Sequence, residues 1–172
     1  MPATYTLIAS NTLSSSAASV TFSAIPATYT DLVLRMSLRS TEASNTTPIE
    51  ITFNSDTATN YSVTRINGDG SAASSSRRTS YNFIDGFQVP AANGTSNTFS
   101  STELYIPNYT ASQNKPMSLM QVDERNTTAA EMNAIAGLWR NTAAITSITL
   151  DFFGATTYAS GSSFFLYGIK NS

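Results

Sequence analysis

The sequence predicts an all-β domain, a jelly-roll-like antiparallel β-sandwich of about eight to ten short strands with little helix. Three observations carry that expectation. Runs with period-two alternation recur about every ten to fifteen residues, separated by Gly, Pro, Asn, Asp and Ser. Residues suited to pleated surfaces are plentiful, with nine Phe, eight Tyr and 25 Thr. Residues that populate helix surfaces are scarce, because charged residues make up only 12% of the chain.

The first run is Tyr5 to Ala9, followed by Ser19 to Ser23 with Val20 and Phe22 on one face. Asp31 to Arg39 is the clearest. Leu32, Leu34, Met36 and Leu38 alternate there with Val33, Arg35, Ser37 and Arg39. Pro48 opens a run in which Ile49, Ile51 and Phe53 share one face, closed by Asn54-Ser55-Asp56. A short helical turn fits Asp56 to Asn60. Tyr61 to Ile66 is the next strand, ended by Asn67-Gly68-Asp69-Gly70. A Ser/Ala-rich loop then leads to Arg77-Arg78, and a weaker strand spans Ser80 to Phe87.

Phe99 to Ile106 and Pro116 to Glu124 follow. Glu131 to Trp139 holds several Ala, but its alternation and Gly137 favour a strand over a helix. Ile145 to Phe153 and Ser163 to Ile169 complete the set. Phe164 to Tyr167 is apolar on both faces, so it belongs at the centre of a sandwich or at a subunit contact. Leu32, Leu34, Met36, Ile51, Phe53, Ile148, Leu150 and Phe152 are the expected core. No repeat or linker divides the chain, so residues 1–172 form one domain.

The 172 residues contain no Cys and no His, and the net charge is −2. The lack of His removes the commonest general base and the commonest transition-metal ligand. No basic patch points to nucleic acid. No stretch approaches the ~20 apolar residues of a membrane span, and Met1 to Leu7 resembles no export signal. No phosphate loop or dinucleotide fingerprint is present, so no cofactor is expected.

Candidate chemistry is sparse. Ser and Thr have only Lys115 and Lys170 as possible activating bases, and both read as solvated lysines beside turns. A glycosidase needs two carboxylates facing one cleft, and the candidates are Glu103, Asp123, Glu124 and Glu131. Asp123-Glu124-Arg125 reads as a strand end with its charges in solvent. Asn67 to Gly70 weakly resembles a calcium loop but reads better as a plain turn. Asn-x-Ser/Thr triplets start at Asn45, Asn60, Asn93, Asn108 and Asn126, as chance provides in a chain with 26 Ser and 25 Thr. For partner contact, Trp139 and Arg140 combine residue types enriched in interface hot spots, although Trp139 reads equally as a core residue. Arg77 and Arg78 end a loop from Gly68 that is long and irregular enough to be either functional or disordered.

Several segments carry a resemblance: Tyr5-Thr-Leu-Ile-Ala-Ser, the run from Ala18 to Arg35, Thr52-Phe-Asn, Tyr105-Ile-Pro-Asn-Tyr, Ala136-Gly-Leu-Trp and Phe165-Leu-Tyr-Gly-Ile-Lys. In this order, over nearly the whole chain, they resemble a family of small β-sandwich structural proteins of tailed bacteriophages. The resemblance implies a non-enzymatic virion component. It would be a capsid decoration (cement) protein that binds the major capsid protein, with a homotrimer as the expected assembly. The alternative is a tail- or fibre-associated module that binds a host glycan. A cement protein should present flat apolar or hydroxyl-rich faces, whereas a glycan reader should expose loop aromatics, here Tyr109 and Tyr158.

Overall fold

The computed structural model describes residues 4–126 and 130–170, and among them every regular element is a strand. The strands are β1 (Tyr5–Thr12), β2 (Val20–Phe22), β3 (Asp31–Ser37), β4 (Thr46–Phe53), β5 (Tyr61–Gly68), β6 (Ala73–Tyr81), β7 (Gln88–Pro90), β8 (Ser101–Ile106), β9 (Lys115–Asp123), β10 (Glu131–Trp139), β11 (Ile148–Phe152) and β12 (Ser163–Ile169). Hydroxyl-bearing and β-branched residues hold these segments extended, and polar turns separate them.

The pairing is nested. Strand β1 pairs with β12, β2 with β11, β3 with β8 and β4 with β7, all antiparallel. Nesting of this kind folds one long double ribbon into two sheets, which is the jelly roll. One sheet runs β1-β12-β3-β8-β9-β10-β5-β6 and the other β2-β11-β4-β7. Eight strands make the jelly roll itself. The hairpin β5-β6, inserted between β4 and β7, and the hairpin β9-β10, inserted between β8 and β11, widen one sheet from four strands to eight.

The core lies between the sheets. All eight residues expected there are buried, each no more than 4% exposed. Leu34 and Leu104 oppose each other across β3 and β8, and Ile51 and Leu150 across β4 and β11. At one end Trp139 packs between Phe53 and Tyr61, with ring centroids 5.6 Å and 6.4 Å away. At the other Tyr158 sits on Phe152 and Phe164, at 4.3 Å and 5.1 Å.

Strand β12 is flanked by β1 and β3, second from the edge of the large sheet, and its second apolar face, Phe165 and Tyr167, is only half-buried, so it is not covered on both sides. Three local expectations need correction. The stretch from Gly68 to Arg78 is no irregular loop. After a tight turn it becomes β6, which pairs with β5 from Ala73 to Tyr81. An edge strand exposed on both faces has no hydrophobic alternation to reveal it. The weaker strand expected over Ser80–Phe87 is divided between the end of β6 and a bridge at Ile84, which pairs with Ile51. The region Asp56 to Asn60 forms no helical turn. It is a loop organised by the Asp56 side chain, which accepts from the Ala58 amide at 2.9 Å and the Asn60 Nδ2 at 2.9 Å.

Candidate functional site

Alternation assigns every second residue of the large sheet to its outer face, away from the small sheet. Register turns those residues into rows that cross the strands. One row runs Ile66, Ala134, Met120, Glu103, Arg35, Phe165. The next runs Thr64, Ala136, Ser118, Tyr105, Val33, Tyr167, Leu7. A third holds Met132 and Val122 beside Ser101.

Six of the seven large apolar side chains that stand exposed among the described residues lie on this face: Tyr5, Leu7, Ile66, Met120, Val122 and Met132. Ile66 is 62% exposed and Met132 50%. No loop covers the centre of the face. It holds an open depression of about 390 Å³ lined by Ile66, Tyr105, Met120 and Ala134 among others. The face carries one ion pair, Arg35 Nε to Glu103 Oε2 at 2.8 Å. The guanidinium also lies 5.6 Å from the centroid of the Tyr5 ring, which meets Tyr167 edge-on.

A second surface feature is a cleft of about 210 Å³ between the small sheet and the end of β6, lined by Glu50, Arg78, Tyr81, Phe83, Asp85 and Phe153 among others. Phe153 is 69% exposed at its rim. Arg78 Nη1 pairs with Asp85 Oδ2 at 2.7 Å and donates to the Tyr81 hydroxyl at 2.7 Å. Glu50 faces Asp151 across β4 and β11. Partial burial, with repulsion from Asp151 and Asp85, pushes the Glu50 carboxyl up to about 7. Burial also raises Asp85, against the opposing pull of Arg78 and Arg65.

The candidate contact residues separate. Arg77 stands opposite Thr64, on the outer face, and Arg78 opposite Val63, toward the cleft. Adjacent residues of a strand point to opposite faces, so the two arginines cannot act as one patch. Trp139 is fully buried, and its indole Nε1 donates to Asp56 Oδ2 at 2.8 Å. It is a core residue and leaves the list of contact candidates. Arg140 is exposed, with Nη2 donating to the Thr59 carbonyl at 2.5 Å.

The loop aromatics proposed for a glycan are likewise interior. Tyr109 and Tyr158 are fully buried, and the Tyr109 hydroxyl donates to the Pro26 carbonyl.

Lys115 is no solvated lysine. It is fully buried, with Nζ donating to the carbonyls of Ala111 at 2.7 Å, Gln113 at 2.5 Å and Thr142 at 3.3 Å. Burial lowers its pKa. Lys170 is exposed, as expected.

Of the candidate carboxylates, Glu124 and Glu131 line one open cleft of about 390 Å³ beside Asp69, and Glu103 stands apart from it. Glu103 is on the outer face, whereas Asp123 and Glu131 oppose each other on the inner side of β9 and β10. Asp123 and Arg125, expected in solvent, are buried, with Arg125 Nε 2.9 Å from Asp123 Oδ1. Burial pushes Asp123 up to about 6; Arg125 opposes the shift and Glu131 adds to it. Beside them Asn67 donates to Glu131 at 2.6 Å and to Asn133 at 3.0 Å, Asn133 to Gln121 at 2.6 Å, and Gln121 to the Gln88 carbonyl at 2.7 Å. This amide chain ties both hairpins to β7.

Glu124 is exposed and caps its own turn by accepting from the Asn126 amide at 2.7 Å. Asp69 Oδ1 accepts from the Ser71 amide, the Ser71 hydroxyl and the Ala72 amide within 2.9 Å, so its carboxylate is engaged in the β5-β6 turn. Of the Asn-x-Ser/Thr triplets, the one starting at Asn126 runs outside the described residues.

No family model matches the chain, and neither a curated protein nor a solved structure is detectably similar to it. The phage resemblance therefore rests on the sequence segments quoted above.

Proposed function

We propose that the chain is a non-enzymatic structural protein of a tailed-phage particle, a decoration protein bound to the shell of major capsid protein. The observation that carries the reading is the outer face of the large sheet. It is wide, with apolar flanks on either side of the Arg35–Glu103 ion pair, and it gathers nearly all of the strongly exposed large apolar side chains. Monomeric proteins rarely expose contiguous apolar patches beyond a few hundred Å², and larger ones mark sites of association. Here the two inserted hairpins double the width of one jelly-roll sheet, and the added strands extend that face. The jelly roll recurs in capsid and lectin domains, which supports the reading by analogy of fold. The groups that could do chemistry are engaged in structure: Lys115 by carbonyls, Asp123 by Arg125, Asp56 by Trp139. Quantitative mass spectrometry of gradient-purified particles tests the proposal. Many copies per particle, in fixed ratio to the major capsid protein, are expected. Absence from particles, or trace amounts, overturns it.

A second reading, a tail or fibre module that binds a host glycan, is favoured by the cleft at Phe153. An exposed aromatic ring beside hydrogen-bonding carboxylates and an arginine suits a sugar ring, with apolar contact below and polar groups around it. Saccharide titration followed by NMR tests this reading. Shifts confined to the cleft and lost in Phe153→Ala support it, and a silent panel of neutral and amino sugars removes it.

A further inference from the structure

The outer face is built in three parts. Arg35 and Glu103 form an ion pair on the neighbouring strands β3 and β8. On one side of the pair, β12 and β1 carry an aromatic wing of Tyr5, Phe165 and Tyr167 with Leu7. On the other, β9 and β10 carry an aliphatic wing of Met120, Val122 and Met132. The face is thus polar at the middle and apolar on both flanks, and the flanks differ in kind.

A two-fold axis running along the strand direction, between β3 and β8, places β3 of one copy over β8 of the other. Arg35 then meets Glu103 of the second copy, and the reverse. The same operation lays β12 over β9 and β1 over β10. The operation keeps each cross-strand row, so Phe165 of each copy covers Met120 of the other, a pairing that sulfur and aromatic rings favour, and Leu7 covers Ala136. A different axis loses this match: centring on β9 would set Glu103 against apolar side chains.

The dimensions are adequate. The overlap spans six strands at ~4.8 Å, each paired over about 20 Å, which gives about 600 Å² per copy. Two copies together then bury about 1,200 Å², the lower bound for a stable specific interface. Two sheets stacked in this way keep their strands within about 30° of each other, as in any aligned sandwich. An exposed ion pair contributes little to folding on its own, so the central position of Arg35 and Glu103 is not accounted for by the stability of the monomer. Charge complementarity across an interface sets register and excludes wrong partners.

We propose that the outer face of the large sheet is covered by the same face of a second copy, related by a two-fold axis between β3 and β8. This rests on the reading of the face as an assembly surface, and in the pair the contact with the shell falls to another part of the molecule. An isologous pair replaces the trimer that the resemblance implies: one patch serves both copies and the assembly closes at two.

Charge exchange tests it. Wild type should give a mass near twice 18.4 kDa by light scattering at micromolar concentration. Arg35→Glu alone and Glu103→Arg alone should each weaken self-association at least tenfold. Mixed together, these two variants should form a one-to-one heterodimer, and the Arg35→Glu, Glu103→Arg double variant should dimerise as wild type does. Met120→Glu, which leaves the ion pair intact, should give monomer with an unchanged circular dichroism spectrum. A wild-type monomer, a trimer, or a dimer indifferent to the charge exchange and to Met120→Glu overturns the proposal. A monomer that still occupies particles, and loses occupancy with Met120→Glu, assigns the face to the shell: the pair is then wrong and the virion reading stands. A dimer absent from particles supports the pair and defeats the virion reading.

Discussion

Trp139 and Asp56, 83 residues apart in sequence, are joined by a hydrogen bond of 2.8 Å from the indole Nε1 to Oδ2. The bond fastens the loop after β4 to the end of β10 and closes one end of the sandwich. Asp56 also accepts from Ala58 and Asn60, and its backbone carbonyl accepts from the Tyr61 hydroxyl at 3.0 Å. Burial alone would raise the Asp56 carboxyl, but the donors from Asn60, Trp139 and Ala58 outweigh it and hold the group below the usual aspartate range.

Asp56→Ala should therefore cost more than a surface substitution. It strands the buried indole donor and two loop donors, and an unsatisfied buried group costs ~1–3 kcal/mol. Trp139→Ala should cost ~3–5 kcal/mol through lost burial and the cavity it leaves. Urea denaturation of both variants checks the order. An Asp56→Ala midpoint equal to wild type would remove this residue from the closure of the sandwich.

Asp123 and Arg125 make the buried ion pair at the turn end of the β9-β10 hairpin. Arg125 also donates from Nη1 to the Asn45 carbonyl at 2.6 Å. Removing one charge leaves the other buried, so Asp123→Ala should destabilise by ~3–5 kcal/mol. Replacing both by apolar residues of similar size should recover much of the loss. Equilibrium unfolding of the two single variants and the double variant measures the coupling directly.

The pH dependence of stability has a definite sign. Glu50 is raised to about 7 and Asp123 to about 6, from ordinary values of 4.5 and 3.8. A carboxyl with a raised folded-state pKa binds its proton more tightly in the folded chain than in the unfolded one. Its contribution is greatest in acid and declines as pH rises through the folded value. Stability should therefore fall between about pH 5 and pH 7.5, the reverse of acid denaturation. The carboxyls held low, Asp56 and Asp69, act only in stronger acid. Glu50→Gln should flatten the upper part of this slope and raise stability at pH 7.5 by less than about 1 kcal/mol, since solvent screens the group. Chemical denaturation across the pH series, wild type against variant, checks both the slope and its origin.

Much of this architecture is legible in the sequence, and the reasons differ by element. Asp31 to Ser37 and Ile49 to Phe53 read clearly because one face is uniformly apolar and buried while the other carries polar residues such as Arg35, Ser37, Glu50 and Thr52, so hydrophobic alternation reports the pleat. Glu131 to Trp139 matched to the residue, because Gly137 and the alternation favoured a strand, and Gly137 has a tertiary reason to be there. A Cβ at that position would lie 2.8 Å from Met117 Cγ. Strand β6 was hidden because Ser74, Ser75 and Ser76 face solvent whichever way they point.

Lys115, Asp123 and Arg125 looked exposed because charge is the usual mark of a surface. Their burial depends on carbonyls and partners brought together only by the fold. The candidate site was half legible. Phe165 and Tyr167 announced a second apolar face on β12, but Met120, Val122 and Met132 join it only through the register of β9 and β10, which no local pattern encodes.

The central claim is that this jelly roll is a building block of a particle and that its wide sheet face is an assembly surface. A cryo-electron microscopy reconstruction of purified particles with which the chain co-sediments tests it most directly. The account predicts density on the shell into which the twelve strands fit, with Met120, Met132 and Tyr167 covered by protein. A shell without such density, or one that carries the chain with this face open to solvent, would contradict it.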